Sequence, residues 1–320
     1  MSVAGFDARW ALALVVALLI VAFVAWRAWR VARLPGGKFR EAEKDLPKEA
    51  VQLDDSGKEV VPTSIGPAIV RGLPPPTKHP IVLAHGYFGF DAIPIPRFRT
   101  EYFRGVRESL NALGYEVHAL RVAPVASVAF RANQLKQQID ALSAPRVNIV
   151  AHSMGGLDAR YAIARLGLEH RVASLTTIGT PHHGTPLADR TRILLGDWAR
   201  VRRMLNSVGA NVDGLYDLTT RRMEEFNRAV VDSPGVAYSS VIGFVNTETP
   251  TVHALLAPGH AYLTKIAGPN DGIVPADSQR WGKVLGEVFA DHWAQVGWSP
   301  GFDVRSFYVR LAEQLAELGH

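Results

Sequence analysis

The sequence predicts an α/β fold in which a mostly parallel β-sheet carries helices on both faces. From Pro80 onward, short apolar runs alternate with amphipathic helical patterns, which is the arrangement of successive strand–helix units. The apolar runs are rich in β-branched residues, as in strands that are buried on both faces. With 320 residues, 48% of them hydrophobic and 20% charged, the chain is long enough for one large domain with appendages.

Composition excludes several classes of function. The chain has no cysteine, which excludes disulfides, thiolate catalysis and cysteine-based zinc sites. The formal net charge is +5, but the arginines are scattered or flank an apolar segment near the N-terminus. We therefore do not expect nucleic acid as a partner, and we attribute the basic charge to the surface and to a membrane-proximal segment.

The first element is an uninterrupted apolar run, Trp10–Trp26, that is bracketed by tryptophans. As a helix it is long enough to cross most of a ~30 Å hydrocarbon layer, so residues 1–34 predict an N-terminal membrane anchor, a single transmembrane helix. A cleaved signal peptide is the alternative, but Asp7 offsets Arg9 ahead of the run and no small-residue cleavage site follows it. The arginines and lysine after the run would place the following chain in the cytoplasm.

Residues 35–78 are polar and proline-rich and predict a linker, and residues 79–320 predict one α/β domain. Its predicted elements, in chain order, are strand Ile81–Ala84, helix Glu101–Leu113, strand Tyr115–Leu120, helix Ser127–Leu142, a strand from Val147, a helix after Gly156, strands Val172–Ile178, Val236–Phe244 and Tyr262–Ala267, and a closing amphipathic helix from Val304 to Leu318. Residues 186–232 show helical patterns and no clear strand.

The segment Val147–Gly156, V-N-I-V-A-H-S-M-G-G, joins a buried strand to a helix through Ser153. Small residues at Ala151 and Gly155 let the strand and the helix cross closely, as in a nucleophile elbow. Such a turn lifts the serine Oγ clear of the sheet and leaves the Met154 backbone N–H at a helix N-terminus, where it can meet an oxyanion. From this pattern alone, the alternative to a nucleophile is a serine that only caps the N-terminus of the helix.

A serine nucleophile requires a histidine base and an acid that orients it, in the chain order Ser, Asp or Glu, His. Asp271 lies in G-P-N-D-G-I-V-P, a turn directly after a predicted strand. His292 is the only histidine after Asp271 apart from His320. Asp277 is the alternative acid, and His260 is a weaker alternative base because it precedes Asp271.

The loop after the first strand, L-A-H-G-Y-F-G-F, is the expected source of a second oxyanion donor, the Tyr87 backbone N–H. We interpret His85 in the same loop as a residue that orders it by hydrogen bonding. The adjacent His182 and His183 have diverging side chains and no third ligand at metal-binding spacing. We therefore expect no metal site and no cofactor.

Five sequence blocks from residue 79 onward, about three quarters of the chain, resemble the bacterial triacylglycerol lipases of the Pseudomonas and Burkholderia type, which are α/β-hydrolases. The blocks, in order, are K-H-P-I-V-L-A-H-G-Y-F-G-F-D, V-N-I-V-A-H-S-M-G-G, I-G-T-P-H-H-G-T-P-L-A-D, N-D-G-I-V and D-H-W-A-Q-V. The resemblance implies an α/β-hydrolase fold with these roles: Ser153 as nucleophile, Asp271 as acid, His292 as base, and the Tyr87 and Met154 N–H groups as oxyanion hole.

The chain departs from that family in four respects. Ala151 stands where the first glycine of the elbow is commoner. The family's disulfide cannot form, and the N-terminal anchor is atypical of enzymes that are usually secreted, so the side of the membrane stays open. Ala294 stands where the family's calcium-binding aspartate usually does. Calcium needs about six to eight oxygens, whereas the residues after His292 offer one amide and no carboxylate. We expect packing of Trp293, Val296 and Trp298 to hold this loop without metal.

Together these patterns predict a membrane-anchored hydrolase of carboxylic esters, with lipids or other long-chain esters as substrates and an acyl-serine intermediate. Residues 186–232 would form a helical lid over the acyl pocket that opens at a lipid surface. The alternatives are an esterase or thioesterase for smaller soluble substrates, and a catalytically silent, membrane-tethered hydrolase fold that serves as a binding module.

Overall fold

Six parallel strands form the central sheet. A computed structural model describes residues 76–87, 101–124, 126–195, 213–245 and 251–320, which all belong to one compact unit, Leu73–His320. The strands are β1 (Ile81–Ala84), β2 (Val117–Leu120), β3 (Val147–His152), β4 (Val172–Ile178), β5 (Ala237–Phe244) and β6 (Lys283–Phe289). Their order across the sheet is β2-β1-β3-β4-β5-β6, and every neighbouring pair is parallel. The predicted parallel α/β architecture is confirmed.

The helices of the described ranges connect these strands. They are α1 (Val106–Ala112), α2 (Val128–Asp140), α3 (Met154–Leu166), α4 (Pro186–Leu195), α5 (Asp213–Asp217), α6 (Thr220–Ala229), α7 (Ala257–Ala267) and α8 (Val304–Glu317). Two short 3₁₀ helices span Ala276–Gln279 and Ala294–Val296. The predicted helix over Ser127–Leu142 is confirmed as α2, which begins after Ser127 because the Ser127 side chain accepts a hydrogen bond from the Phe130 N–H.

Both faces of the sheet are buried, as the apolar runs predicted. In β1, Ile81 and Leu83 pack into a core that includes side chains of α1 and α8. Val82 and Ala84 point the other way, into a core that includes side chains of α2 and α3. Because successive side chains of a strand face opposite sides, β1 contributes to both cores and is buried throughout.

The structure corrects two predicted elements near the C-terminus. The segment Tyr262–Ala267 is not a strand but the end of α7, a helix that buries Leu263. Pro258 lies in the first turn of α7, where its missing backbone N–H would have no acceptor within the helix. The last strand is instead β6, which the sequence patterns missed. It lies at the edge of the sheet and exposes Lys283 and most of its length, so it lacks the continuous apolar run of a buried strand.

Smaller differences concern element ends and undescribed segments. Helix α1 begins at Val106 rather than Glu101, because Gly105 at φ 66° has a left-handed backbone that no α-helix continues. The predicted membrane anchor, the linker up to residue 75 and residues 196–212 of the predicted lid lie outside the described residues. Within the ranges that are described, no helix is both long and apolar enough to span a bilayer.

Candidate active site

Ser153 occupies a strained turn between β3 and α3. Its backbone has φ 56° and ψ −134°, and among the described residues it is the only non-glycine with positive φ. Such a conformation costs about 1–3 kcal/mol and persists where the surroundings enforce it. Gly155 allows close packing of the turn against β1, because a Cβ built there would lie 2.5 Å from the Ala84 carbonyl oxygen. The strand–turn–helix geometry predicted from the sequence is therefore present, with Met154 as the first helical residue.

Three side chains that are far apart in sequence meet at this turn. The His292 Nε2 lies 3.0 Å from the Ser153 Oγ, and the His292 Nδ1 lies 2.7 Å from the Asp271 Oδ2. The other carboxylate oxygen of Asp271 accepts hydrogen bonds from the backbone N–H groups of Ile273 and Val274, at 3.0 and 2.7 Å. Since an ionised carboxylate only accepts, the His292 Nδ1 donates to Asp271 and its Nε2 is left to accept the serine proton.

The acid follows a helix where a strand was predicted, and the base follows a strand that was not predicted. Asp271 follows helix α7, and its turn is held by Asn270, whose side chain bonds Gly268 and Thr264 and accepts from the Gly272 N–H. His292 follows the edge strand β6, and its backbone N–H donates to the Asp271 carbonyl at 2.8 Å. This direct backbone contact joins the two loops and brings the imidazole to the carboxylate.

The alternative acid and base lie elsewhere. The Asp277 side chain is 92% exposed and pairs with Arg280, so it does not reach His292. The His260 Nδ1 lies 3.0 Å from the Asn270 Oδ1, where the ring supports the turn before Asp271. Within the described ranges, neither residue forms a hydrogen bond or an ion pair with Ser153 or His292.

The loop after β1 lies against the serine at Gly86, the residue before Tyr87. A Cβ built at Gly86 would lie 2.5 Å from the Ser153 Cβ and 3.0 Å from its Oγ, so the loop backbone passes directly over the nucleophile position. The His85 Nε2 lies 3.1 Å from the Val122 N–H and its Nδ1 lies 2.9 Å from the Gly86 carbonyl. His85 therefore orders the peptide unit that carries the Tyr87 N–H, and its predicted loop-ordering role is confirmed.

A buried ion pair supports the same loop. The Arg131 guanidinium contacts the Asp158 Oδ2 at 2.8 Å and donates to the carbonyls of His85 and Ala123, at 2.7 Å each. Burial raises the pKa of the Asp158 carboxyl to about 6, although the positive charge of Arg131 lowers it. Burial, and secondly the Arg131 charge, lower the pKa of His85 to about 4. His85 is thus neutral near pH 7, as its acceptor role toward Val122 requires.

Comparison with known proteins places this site in a family. A triacylglycerol lipase of Vibrio cholerae is 30% identical over 249 residues, which cover 65% of this chain and 76% of that protein. The chain belongs to the triacylglycerol lipase family. Triacylglycerol lipase 2 of Saccharomyces cerevisiae is 29% identical over 313 residues, covering 76% of this chain and 93% of that protein. This lipase-type enzyme is accordingly a carboxylic ester hydrolase.

Two further comparisons bear on the lipase fold. A family model described as a domain of unknown function, DUF7379, matches residues 77–237. The mature lipase of Bacillus licheniformis is similar in structure, with a TM-score of 0.57 over 75% of this chain and 94% of that chain. At 24% identity this likeness supports the α/β-hydrolase fold alone.

In this lipase Asp291, directly before His292, forms hydrogen bonds that stabilise the loop carrying His292. Asp291 is buried, and its Oδ1 accepts hydrogen bonds from Trp293 N–H, Ala294 N–H and Ser299 Oγ at 2.9, 2.7 and 2.9 Å. Its Oδ2 accepts from the His253 N–H at 2.7 Å. The sequence predicted that packing of Trp293, Val296 and Trp298 holds the loop, and it did not predict this role of Asp291.

The packing expected from the sequence is also present around this lipase loop. The Trp293 ring meets the His253 ring edge-on with centroids 4.7 Å apart. Val296 is buried, and the Trp298 Nε1 donates to the Tyr102 carbonyl at 2.8 Å. Polar and apolar contacts therefore hold the loop together.

Three further buried polar residues of the lipase lie behind the Ser153–His292–Asp271 group and were not singled out from the sequence. They are Tyr102, His152 and Gln295, and they hydrogen-bond to one another and to Asp271. His152 and Gln295 fall inside blocks that carried the family resemblance, so block membership was the available signal. For Tyr102 the sequence offered none.

The adjacent histidines of the lipase's I-G-T-P-H-H-G segment do not form a ligand pair. The buried His182 ring bonds the Thr177 Oγ1 at 3.0 Å and stacks on the Trp281 ring. No group of three or more potential metal-binding side chains occurs in the part of the chain that the structure describes.

Proposed function

We propose that this enzyme hydrolyses long-chain carboxylic esters, acylglycerols among them, through an acyl-serine at Ser153. The Ser153 Oγ bonds to the ester carbonyl carbon while His292 Nε2 takes the hydroxyl proton, and Asp271 holds the imidazole and stabilises its positive charge. His292 then returns the proton to the departing alcohol. In the second half-reaction His292 takes a proton from water while the water oxygen bonds to the acyl carbon. The bond from that carbon to Ser153 Oγ then breaks, His292 returns the proton to Oγ, and the acid leaves.

The negative charge on the tetrahedral intermediates needs donors that are already in place. We assign this role to the Tyr87 and Met154 backbone N–H groups. Met154 begins helix α3, so its N–H has no acceptor within that helix and shares the positive end of the helix dipole. The observation that carries the proposal is the 3.0 Å contact between His292 Nε2 and the strained Ser153.

A long-chain substrate is supported by the apolar surroundings of the elbow. Met154 and Leu157 of α3 pack with Ala188, Leu218 and Met223 from the predicted lid. A Cβ built at Gly214 of α5 would lie 2.6 Å from the Tyr87 ring, so α5 lies directly over the proposed oxyanion loop. The triacylglycerol lipase relatives point to the same substrate class. We propose that residues 186–232 form a lid that exposes this apolar surface at a lipid interface.

The test is a series of p-nitrophenyl esters from short to long acyl chains, measured below and above the solubility limit of each ester. We expect activity to persist with long chains and to rise on emulsified substrate. Ser153→Ala should lose roughly 10⁶-fold in kcat and should no longer react with a fluorophosphonate probe. The control is Ser143→Ala, an exposed serine ahead of β3, which should match wild type.

The nucleophile, the substrate class and the lid can each be refuted separately. Labelling of Ser153→Ala at the wild-type rate would refute the nucleophile. Activity confined to the shortest esters would refute the long-chain substrate. A smooth rise through the solubility limit would refute interfacial opening of the lid.

We also propose that Trp10–Trp26 anchors the enzyme in a membrane. The support is the length of the apolar run, its flanking tryptophans and the basic residues that follow. An anchor of this kind would keep the enzyme at a lipid surface.

A further inference from the structure

A chain of buried polar side chains runs from the loop over Ser153 to the carboxylate of Asp271. The Tyr102 hydroxyl lies 2.7 Å from the His152 Nδ1. The His152 Nε2 lies 3.2 Å from the Gln295 Oε1, and the Gln295 Nε2 lies 3.1 Å from the Asp271 Oδ2. All four residues are buried. We call Tyr102, His152 and Gln295 the polar chain.

The hydrogen bonds of the polar chain have one consistent direction. Because the Asp271 carboxylate only accepts, the Gln295 amide nitrogen must face it, and the Gln295 oxygen must face His152. The His152 Nε2 therefore carries a hydrogen. Burial, and secondly the nearby His292, lower the pKa of His152 well below its usual range, so the ring is neutral and its Nδ1 accepts from the Tyr102 hydroxyl.

The other end of the polar chain touches the proposed oxyanion loop. The Tyr102 hydroxyl would lie 2.9 Å from a Cβ built at Gly86. Burial raises the pKa of the Tyr102 phenol, and a hydrogen bond from the Gly86 backbone opposes that rise. The phenol therefore lies against the backbone of the loop that carries the Tyr87 N–H.

We propose that Tyr102, His152 and Gln295 are positioning residues that couple the Gly86–Tyr87 loop to the acid of the catalytic group. The proposal rests on the proposed function of Ser153, His292 and Asp271. Gln295 and His292 share one oxygen, the Asp271 Oδ2, at 3.1 and 2.7 Å. The amide therefore fixes where that oxygen lies and takes up part of its negative charge.

This sharing predicts a change in pH dependence that a purely structural role would not produce. Without the Gln295 donor, more of the charge on Asp271 is available to stabilise the imidazolium form of His292. The acidic limb of the kcat/KM profile should then move to higher pH, because more of the free enzyme holds its base protonated. Looser positioning of the acid should also lower kcat.

Other charged or titratable groups around the polar chain have fixed partners. Arg131 is paired with Asp158, and both are buried. Asp291 has four hydrogen bonds to donors of its own loop and of His253. The His85 ring bonds Val122 and Gly86. The Gln279 amide also approaches the Asp271 Oδ2, at 3.4 Å, but it does not titrate. The variants below leave all of these groups in place.

The experiment compares Gln295→Met and Tyr102→Phe with the matched control Tyr308→Phe in the full chain. Tyr308 belongs to the same hydrophobic core as Tyr102, but its buried hydroxyl has no hydrogen-bond partner among the described residues. The measurements are kcat and KM for a soluble short-chain p-nitrophenyl ester between about pH 5 and pH 9, with the melting temperature of each variant.

We expect Gln295→Met to lose roughly tenfold to a hundredfold in kcat with little change in KM, and to shift its acidic limb upward. Tyr102→Phe should change in the same direction by less, since the Gln295 amide remains. Tyr308→Phe should keep the wild-type profile.

The proposal would be overturned if the acidic limb of the kcat/KM profile is unshifted in both Gln295→Met and Tyr102→Phe. It would also be overturned if Tyr102→Phe and Tyr308→Phe change kcat and the pH profile equally. Neither outcome affects the proposed role of Ser153 if turnover still depends on it. Wild-type turnover that survives Ser153→Ala would instead overturn the proposed function, and this inference with it.

Discussion

Gly86 is the residue whose size matters most at the proposed active site. Its backbone passes so close to the nucleophile that a Cβ would meet the Ser153 Cβ at 2.5 Å, the Tyr102 hydroxyl at 2.9 Å and the Ser153 Oγ at 3.0 Å. Ser153 is held by the strained elbow and has no room to retreat. Any side chain at position 86 must therefore displace the loop that carries the Tyr87 N–H.

We expect Gly86→Ala to lose at least about 10²-fold in kcat, because a displacement of about 1 Å at an oxyanion donor has that effect. The melting temperature should fall only slightly, since the loop lies outside the two main cores. The control is Gly286→Ala in β6, where an added Cβ meets nothing within 4 Å. Wild-type kcat in Gly86→Ala would show that the loop does not contact the reaction.

At the scale of structural elements, one buried carboxylate makes several of the contacts that hold the loop after β6. Asp291 accepts four hydrogen bonds, two of them from backbone N–H groups of its own loop. Asn at this position has the same shape but only one accepting oxygen, so at least one buried donor is left without a partner, at a cost of about 1–3 kcal/mol. The proposed base, His292, lies on the same loop and should lose its position.

We predict that Asp291→Asn lowers both the melting temperature and kcat and changes KM little. The matched control is Asp303→Asn, because Asp303 caps α8 through one accepting oxygen, which Asn retains. If Asp291→Asn melts and turns over like wild type, the carboxylate does not hold the loop.

A companion measurement concerns calcium. Because protein contacts hold this loop and Ala294 replaces the family's calcium-binding aspartate, EDTA followed by added calcium should change neither activity nor melting temperature. A loss on chelation that calcium alone restores would refute the prediction.

At the scale of the whole molecule, the proposed anchor Trp10–Trp26 would attach the enzyme to a membrane. We expect the full chain to stay with membranes after washing at high salt and high pH. Leu14→Arg with Leu18→Arg should release it, because each arginine at the centre of a membrane helix costs about 2.5–3.5 kcal/mol. Leu14→Phe with Leu18→Phe is the apolar control. Release of the wild-type chain by the wash, or an intact mass that lacks the first residues, would favour the signal-peptide alternative.

The buried part of the sheet and the elbow could be predicted from the sequence. Strands Ile81–Ala84 and Val172–Ile178 were predicted with the bounds that the structure has. A strand that is buried on both faces must be apolar along its whole length, so its pattern is local and readable. The Ser153 turn is equally local, because strand, turn and helix are consecutive. Chain order pointed to His292 and left Asp271 and Asp277 as candidate acids, the family resemblance implied Asp271, and the structure brings Asp271 and His292 to Ser153.

The elements that carry Asp271 and His292, and the residues that support them, follow from the tertiary packing and could not be predicted. The edge strand β6 lacks a continuous apolar run because one edge is solvent-exposed, and α7 was misread because its short apolar segment fits either period. The polar chain joins Tyr102 to His152 and His152 to Gln295, across 50 and 143 positions of sequence. Such contacts depend on where distant elements pack, and no local periodicity of the chain encodes that placement.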